Sequence, residues 1–592
     1  MFIIRPIRRS VLFFCLMYVL GAYCVVAEPW NGSRMIGLFE LFLDLYVVVL
    51  LLALLPRWLR ISVQAVFSVV AYLVAAVDLV CYERAHTPLT PMLYTIFLQS
   101  NPQEAGEALA TYLTPDLLVS RCTPLLLLLF LQILLCVSFK LRRRFLKGIS
   151  TVLSRYSRLI GVLTGVVLTT AVCLSWENKH YIYHRILLQQ NELETQAACD
   201  IDPPTRDYIP LYRVAFAVSE HLQNVQVVRR LDDMLDEISV DSCSADSSVI
   251  VLIIGESFNR SHASFFGYDK ATTPCEQQWI GEGRMVPFTN AISPWNVTCE
   301  SFQHVFSTFA YGHKGAWYDE PLFTQLFKTA GYNVSFLSNQ YVLDRSHSFS
   351  SFGEDLFMNN ERMSQSQFNH RNTTLHEYDG SLLDDYDSLQ TLPAQPTPRE
   401  LVIFHFKAMH FEFSARYPQS HEYFHSSDYA RPELSDEQRK ILSDYDNAIR
   451  YVDGVMSAIV QRFQDKEAII IHVPDHGEQV FDHGLQSYGR TLGWTPEEIG
   501  PQFEIPLWFY ATERYQQSHP QQWLRIRQMA DTRYMTDALA HTLLRLGGIY
   551  SKSYDPRLDI LDSAYDASRQ RLIRGERDYD AIIGDDSGSS KQ

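Results

Sequence analysis

Basic charge is in short supply in this sequence: 51 Lys and Arg stand against 67 Asp and Glu, a formal net charge of −16. That deficit argues against nucleic acid as a partner, which calls for a basic face. Internal repeats are absent too, which removes solenoids and propellers. Cysteine is sparse, ten in 592 residues. Six of them (Cys15, Cys24, Cys81, Cys122, Cys136 and Cys173) lie in or beside apolar segments. Outside these, Cys199, Cys243, Cys275 and Cys299 suffice for two disulfides, with three pairings open.

What the chain does have is two unlike parts, and its length exceeds one ordinary core. The first third is apolar, with five segments near the length a bilayer needs: Val11–Ala27, Ile36–Leu55, Ile61–Cys81, Thr123–Phe139 and Leu159–Trp176. Arg5, Arg8 and Arg9 precede the first, Arg57 and Arg60 separate the second and third, and Lys140, Arg142, Arg143, Arg144 and Lys147 follow the fourth. If all five span, these clusters share one side, the cytoplasmic one, and everything after Trp176 lies outside. The first segment also reads as a signal peptide with Val25-Val26-Ala27 before a cut, but five retained spans fit the charges without cleavage. Glu40 and Asp44 share a helix face in the second segment and Asp78 sits in the third. Such acids suit a cationic lipid headgroup, or a helix end at the interface. The loop Tyr82–Arg121 is apolar enough to lie on the membrane.

The expected organisation is a transmembrane domain over 1–176, a juxtamembrane linker over 177–248 with an amphipathic helix near Tyr208–Ile238, a catalytic domain over 249–553 and a polar tail over 554–592 with disordered last residues. In 249–553, strand patterns at Val249–Ile254, Asn333–Leu337, Leu401–Phe406, Ala468–Val473 and Ile505–Ala511 alternate with helical ones such as Glu437–Phe463 and Thr536–Leu546. That alternation predicts an α/β sandwich on a largely parallel sheet.

Ligands bind beyond the carboxyl ends of such strands. Glu256 follows the first, His410 the third, and Asp475-His476 the fourth, with Asp482-His483 close behind. Acid and imidazole together favour zinc-class metals. Ser293–Phe302 reads as a loop entering a helix with Thr298 near its N-terminus, where a phosphate or sulfate is favoured. A metal-activated hydroxyl there attacks phosphorus; the plainer role for Thr298 is an N-cap.

GESFNRSHASFFGYDKATTP (255–274), SPWNVTCESF (293–302), FLSNQ (336–340), His410 with Arg416-Tyr417-Pro418, SDYDNAIRYVD (443–453) and PDHGEQVFDHG (474–484) occur in this order. Together they resemble the bacterial phosphoethanolamine transferases of the alkaline phosphatase/sulfatase superfamily, nearer the lipopolysaccharide-core branch than the lipid A branch. SNPQEA (100–105) resembles that family's outer-face loop and points to Asn101 and Glu104 as substrate contacts.

The resemblance implies a multi-pass protein of the bacterial inner membrane: five transmembrane helices followed by a periplasmic α/β sandwich of alkaline phosphatase/sulfatase type. It implies zinc held by Glu256, Thr298, Asp475 and His476, with Thr298 as nucleophile and transient carrier. His410 matches a histidine that binds phosphate or a second metal. Tyr488 stands where lipid A enzymes have a further histidine, and His483 is the available substitute, so a second metal is open. The implied reaction takes phosphoethanolamine from phosphatidylethanolamine onto Thr298, releases diacylglycerol, then passes it to a lipopolysaccharide acceptor, lipid A or a core sugar. The competing readings are a phosphoglycerol transferase of lipoteichoic-acid-synthase type, a hydrolytic sulfatase or phosphodiesterase, and a non-catalytic membrane scaffold or sensor.

Overall fold

The computed structural model describes residues 3–27, 34–85, 114–182, 210–245, 248–341, 360–391, 398–491 and 493–585, together with 89, 94, 357 and 358. It divides into two compact units, Met1–Gln223 and Asn224–Gln592.

In the first unit every expected apolar segment is helical: α1 (Val11–Ala27), α2 (Arg34–Leu52), α3 (Arg57–Ala85), α4 (Thr123–Val137) and α6 (Ser157–Ile182). By length and hydropathy, two described helices suffice to cross a membrane, Arg57–Arg84 and Ser157–Trp176. A third is added if α4 and the helix after it, α5 (Phe139–Arg155), are one span bent by 102°. The fourth apolar segment thus stops at Val137. The basic cluster behind it is itself a helix, with Arg142, Arg143, Arg144 and Lys147 interleaved by exposed Leu141 and Phe145, the make-up of a helix lying in a membrane interface.

The acids of the apolar helices have partners. The Lys179 ammonium of α6 lies 3.0 Å from Glu40 and 2.8 Å from Asp44, and Asn178 donates to the other Glu40 oxygen at 2.7 Å. Asp78 receives Arg213, from helix α7 (Pro210–Asp233), through two parallel hydrogen bonds. Reading Glu40 and Asp44 as a headgroup site left out Lys179, because a cation 135 residues away in sequence carries no local signal. Most of the loop Tyr82–Arg121, including Asn101 and Glu104, lies outside the described residues.

The second unit is built on a seven-stranded sheet. Its strands are β1 (Ser248–Gly255), β2 (Met285–Pro287), β3 (Asn333–Ser338), β4 (His370–Arg371), β5 (Arg399–His405), β6 (Ala468–Pro474) and β7 (Trp508–Ala511), in spatial order β2-β7-β6-β1-β5-β3-β4. The four pairings among β6, β1, β5, β3 and β4 are parallel, and β7 runs antiparallel to both its neighbours. Along β1, Ile250, Leu252 and Ile254 enter one core while Val249, Val251 and Ile253 enter the other, so both faces of the sheet are covered, as its continuous apolar strands foretell.

Helix α10 (Asp436–Phe463) covers the second core. A reciprocal box between Ser435 and Gln438 caps it, and Leu442, Tyr445, Ile449, Val452, Met456, Ile459 and Phe463 line its inner stripe at alternating steps of four and three. The stretch expected as a polar tail is part of the domain up to Asp585: Leu558 and Ile560 join the first core, and Ile573 and Tyr579 pack with Ile292, Ile499 and Phe503. Among the described residues Cys243, Cys275 and Cys299 are free thiols, so the disulfides allowed by the sequence do not form among them; Cys199 lies outside the described residues.

Candidate active site

β1 and β6 are adjacent and parallel, with Gly255 opposite Pro474. Glu256 and Asp475-His476 therefore leave neighbouring strands at one level, beyond their carboxyl ends. A Cβ at Gly255 would stand 2.8 Å from the buried His472 ring, and one at Gly477 would stand 2.2 Å from the Pro501 carbonyl. Only glycine fits either turn. Ser257 takes a left-handed conformation, φ 55°, that a side chain disfavours. It is held there by its amide on Asp475 (3.1 Å), its hydroxyl on Glu256 (2.7 Å) and its carbonyl under the Tyr445 hydroxyl (2.7 Å).

Glu256, Asp475 and His476 are buried and present ligand atoms within 4.8 Å of one another. Asp475 Oδ1 is engaged by the amides of Ser257 and His476, while Oδ2 accepts no hydrogen bond. His476 Nδ1 donates to the Gly477 carbonyl at 2.6 Å. That fixes the tautomer and leaves a bare lone pair on Nε2, 3.5 Å from Glu256 and 3.4 Å from Asp475. Two orphaned lone pairs and an acid pair in one buried pocket fit a divalent cation of zinc class, whose charge would repay their desolvation.

Burial and the charge beside it at Glu256 push Asp475 well above the usual carboxylate range. Burial also raises Glu256, but neighbouring positive charge, the Arg490 guanidinium with it, more than offsets this and holds it below that range. Burial, helped by Arg490, drives His476 down to about 3, the neutral form a metal requires.

Thr298 is the first residue of helix α9 (Thr298–Phe306), with Val297 in the capping position, so its hydroxyl does not cap. It donates instead to Glu256 Oε2 at 2.9 Å. The nucleophile candidate thus stands at a helix N-terminus against the acid pair. Its loop is fastened by Asn296, which donates to Gln502 (2.9 Å) and to the Thr491 carbonyl (3.1 Å).

His410 follows β5 in a loop whose amides at Lys407 and Ala408 are both held by Asp379. Its Nδ1 faces the Phe411 carbonyl at 2.7 Å. His483 is exposed, in a left-handed conformation outside the ligand group. Tyr488 stacks among Phe411 and Phe481.

Sequence reasoning missed three neighbours of Glu256. Gln340 bridges it to the Phe406 carbonyl, at 3.0 and 2.7 Å. Arg490 Nη2 reaches it at 3.1 Å. Glu478, held up at about 7 chiefly by burial, faces Arg490 at 3.8 Å. Gln340 was signalled by FLSNQ; Arg490 had no local signal.

Similarity to known proteins follows the same residues. The Sulfatase family model matches residues 248–549. Phosphoethanolamine transferase EptC of Escherichia coli O18:K1:H7 is 25% identical over 366 residues, 59% of this chain and 60% of the relative. Phosphoethanolamine transferase CptA of Salmonella typhimurium is 26% identical over 358 residues, 57% of this chain and 59% of the relative. The chain thus spans under two thirds of these relatives' own length. Among solved structures, the integral membrane lipooligosaccharide phosphoethanolamine transferase A (EptA) of Neisseria meningitidis shares the fold. It has a TM-score of 0.61 at 17% identity and covers 92% of this chain and 98% of that one. With a model match over half its length, spanning Glu256, Thr298, Asp475 and His476, this chain belongs to the sulfatase family.

Proposed function

We propose that the protein transfers phosphoethanolamine from phosphatidylethanolamine to a lipopolysaccharide acceptor, with Thr298 as the covalent carrier. The observation that carries this is the Thr298 hydroxyl at the head of α9, 2.9 Å from Glu256 and beside the orphaned lone pairs of Asp475 and His476. The phosphoethanolamine transferase relatives EptC and CptA support it, as do the apolar helices, since a lipid donor demands a site at a bilayer surface. On this reading the protein lies in the bacterial inner membrane with its second unit in the periplasm.

Zinc bound by Glu256, Asp475, His476 and Thr298 would supply Lewis acidity to the Thr298 hydroxyl and to phosphoryl oxygens. The residues do the rest. Glu256 Oε2, accepting from the Thr298 hydroxyl, orients Oγ1 for attack on phosphorus, and the Thr298 proton is lost to solvent. The bond to the diacylglycerol oxygen breaks, and that oxygen takes a proton from solvent. In the second half the acceptor hydroxyl attacks the phosphothreonine and loses its proton to solvent, and Oγ1 takes a solvent proton as the P–O bond to it breaks. The N-terminus of α9 and His410 face the charge that builds on the non-bridging oxygens.

Mass spectrometry of envelope lipids from cells carrying the intact chain, the Thr298→Ala chain or neither tests this. Phosphoethanolamine added only by the intact chain supports the proposal and locates the acceptor. Addition that persists with Thr298→Ala removes Thr298 as carrier, and a glycerophosphate mass instead would turn the reading to phosphoglycerol transfer.

A further inference from the structure

Arg490 is a cation placed among the site's acids by two independent supports. Behind it, Tyr488 and Gly489 pair antiparallel with Val480 and Gln479, on the segment that follows Asp475-His476. Ahead of it, the Thr491 amide donates to Gln502 at 2.7 Å, and the Thr491 carbonyl accepts from Asn296 at 3.1 Å and from Arg574 at 2.9 Å. Asn296 and Gln502 also fasten the loop that delivers Thr298. One hydrogen-bonded cluster therefore sets both Thr298 and Arg490.

Their positions converge on one carboxylate. Thr298 Oγ1 donates to Glu256 Oε2 at 2.9 Å, and Arg490 Nη2 donates to Glu256 Oε1 at 3.1 Å. The hydroxyl and the guanidinium thus meet the two oxygens of one carboxyl group. Arg490 is partly exposed (16%), whereas Glu256, Asp475 and Glu478 are buried.

Charge counting tells what the guanidinium is for. Glu256 and Asp475 together balance a divalent cation, which leaves no positive charge over for a phosphodiester. The N-terminus of α9 offers only a partial one. A phosphodiester monoanion needs a further full charge, and a guanidinium fork is shaped for two phosphate oxygens.

We propose that Arg490 binds the phosphate oxyanion of the substrate and of the phosphothreonine, as a fixed second cation beside the metal pocket. The role rests on the transferase reading above. On substrate entry Arg490 exchanges Glu256 Oε1 for non-bridging phosphoryl oxygens, and it takes no part in proton transfer.

The test uses the full chain in detergent micelles with a short-chain phosphatidylethanolamine donor, in the wild type, Arg490→Ala and Arg490→Lys. Metal content is read alongside, and inorganic phosphate binding is read in the Thr298→Ala background, where no transfer occurs. Expected is a fall in kcat/KM of about 100-fold for Arg490→Ala with partial recovery in Arg490→Lys, at unchanged metal content. Phosphate affinity should fall about tenfold for Arg490→Ala. Rate and phosphate affinity both within twofold of wild type would overturn the proposal. So would loss of metal in step with activity, which would make Arg490 a counter-ion of the empty acid cluster. Should Arg490→Ala not fold, Arg490→Lys decides: a point charge that restores the full rate contradicts a role needing the fork. Should the wild type transfer nothing, the transferase reading fails by itself, and phosphate binding still decides for or against Arg490.

Discussion

His262 is the firmest place to test whether the site rests on buried electrostatics. Its ring lies between two carboxylates, Nδ1 2.8 Å from Asp446 and Nε2 3.2 Å from Asp482, and it packs on the Tyr268 and Tyr445 rings. Burial disfavours the charged ring, but Asp482 and Asp446 overcome this and lift it from 6.5 to about 10. A group whose folded pKa is raised gives its full stabilisation below the unfolded value, and loses it as pH rises through the folded one. The contribution is therefore complete below pH 6.5 and fades through pH 10, and its size is about 5 kcal/mol. His262→Gln would leave buried Asp446 and half-buried Asp482 facing each other without a cation, at a loss of about 3–5 kcal/mol. The melting midpoint of the full chain in micelles, followed by tryptophan fluorescence, should drop roughly 5–10 °C at neutral pH. Wild type should lose that advantage as pH climbs toward 10, while the variant changes little over the same range. A wild-type midpoint that declines no faster than the variant's would refute a charged His262. Activity should follow, because Asp482 also receives the Asn259 side chain and the Val480 amide, each at 3.0 Å, tying the loop of Asp475 and His476 to the one after Glu256.

Further consequences are as specific. Thr298→Ala should abolish accumulation of a phosphoprotein on intact-mass spectra and cut turnover by at least about 1000-fold, and an adduct that persists would place the carrier elsewhere. Arg574→Asn suits the left-handed φ of 53° at that position but removes the bond to the Thr491 carbonyl. Turnover should fall about tenfold at unchanged metal content, read as rate against bound metal. Chelation of a metal-loaded sample should lower the midpoint by an amount equivalent to about 2–4 kcal/mol, and Asp475→Asn should make it insensitive to chelator. Lys179→Met should destabilise the first unit by at least about 3 kcal/mol by leaving Glu40 buried and unpaired, and Glu40→Gln on top should restore part of the loss in the same melting assay.

How much of this was legible follows from the range of each interaction. Strand ends were readable because a strand buried on both faces is a continuous local run of apolar residues with a polar break at its end. Hence Glu256, Asp475 and His476 were singled out from their positions just after two six-residue apolar runs. The edge strands Met285–Pro287 and His370–Arg371 were missed because two or three residues carry no periodicity. SDYDNAIRYVD is recognisable as a motif, yet its job appears only in three dimensions: Asp446 holds His262, Asp453 accepts the Cys275 and Glu276 amides at the start of α8 (Pro274–Gly281), and Tyr445 supports Ser257. Composition misled for the stretch after Tyr554, since a polar average hides Leu558, Ile560, Leu561 and Ile573, buried next to charged residues such as Arg557, Asp559 and Arg574.

The two sides of the site draw their precision from different sources. The metal side is set by the sheet: Gly255 opposite Pro474 fixes where the ligands emerge, and the strained Ser257 adds its amide to Asp475. On the proposed function the phosphate side is set by side chains that bind backbone, with Asn296, Gln502 and Arg574 converging on Thr491 and Arg574 lying over Trp494 at 4.6 Å and Phe503 at 5.4 Å. Sheet register tolerates little variation, because a one-residue slip turns every side chain to the other face. A hydrogen-bonded loop cluster can be rebuilt piece by piece around a fixed sheet. Substitutions that change which phosphoryl acceptor is used should therefore gather on the Asn296–Thr491–Arg574 side, while those at the ends of β1 and β6 should abolish metal binding outright. A substitution within the loop cluster that removed the metal while leaving the sheet intact would show that the two sides are not separable in this way.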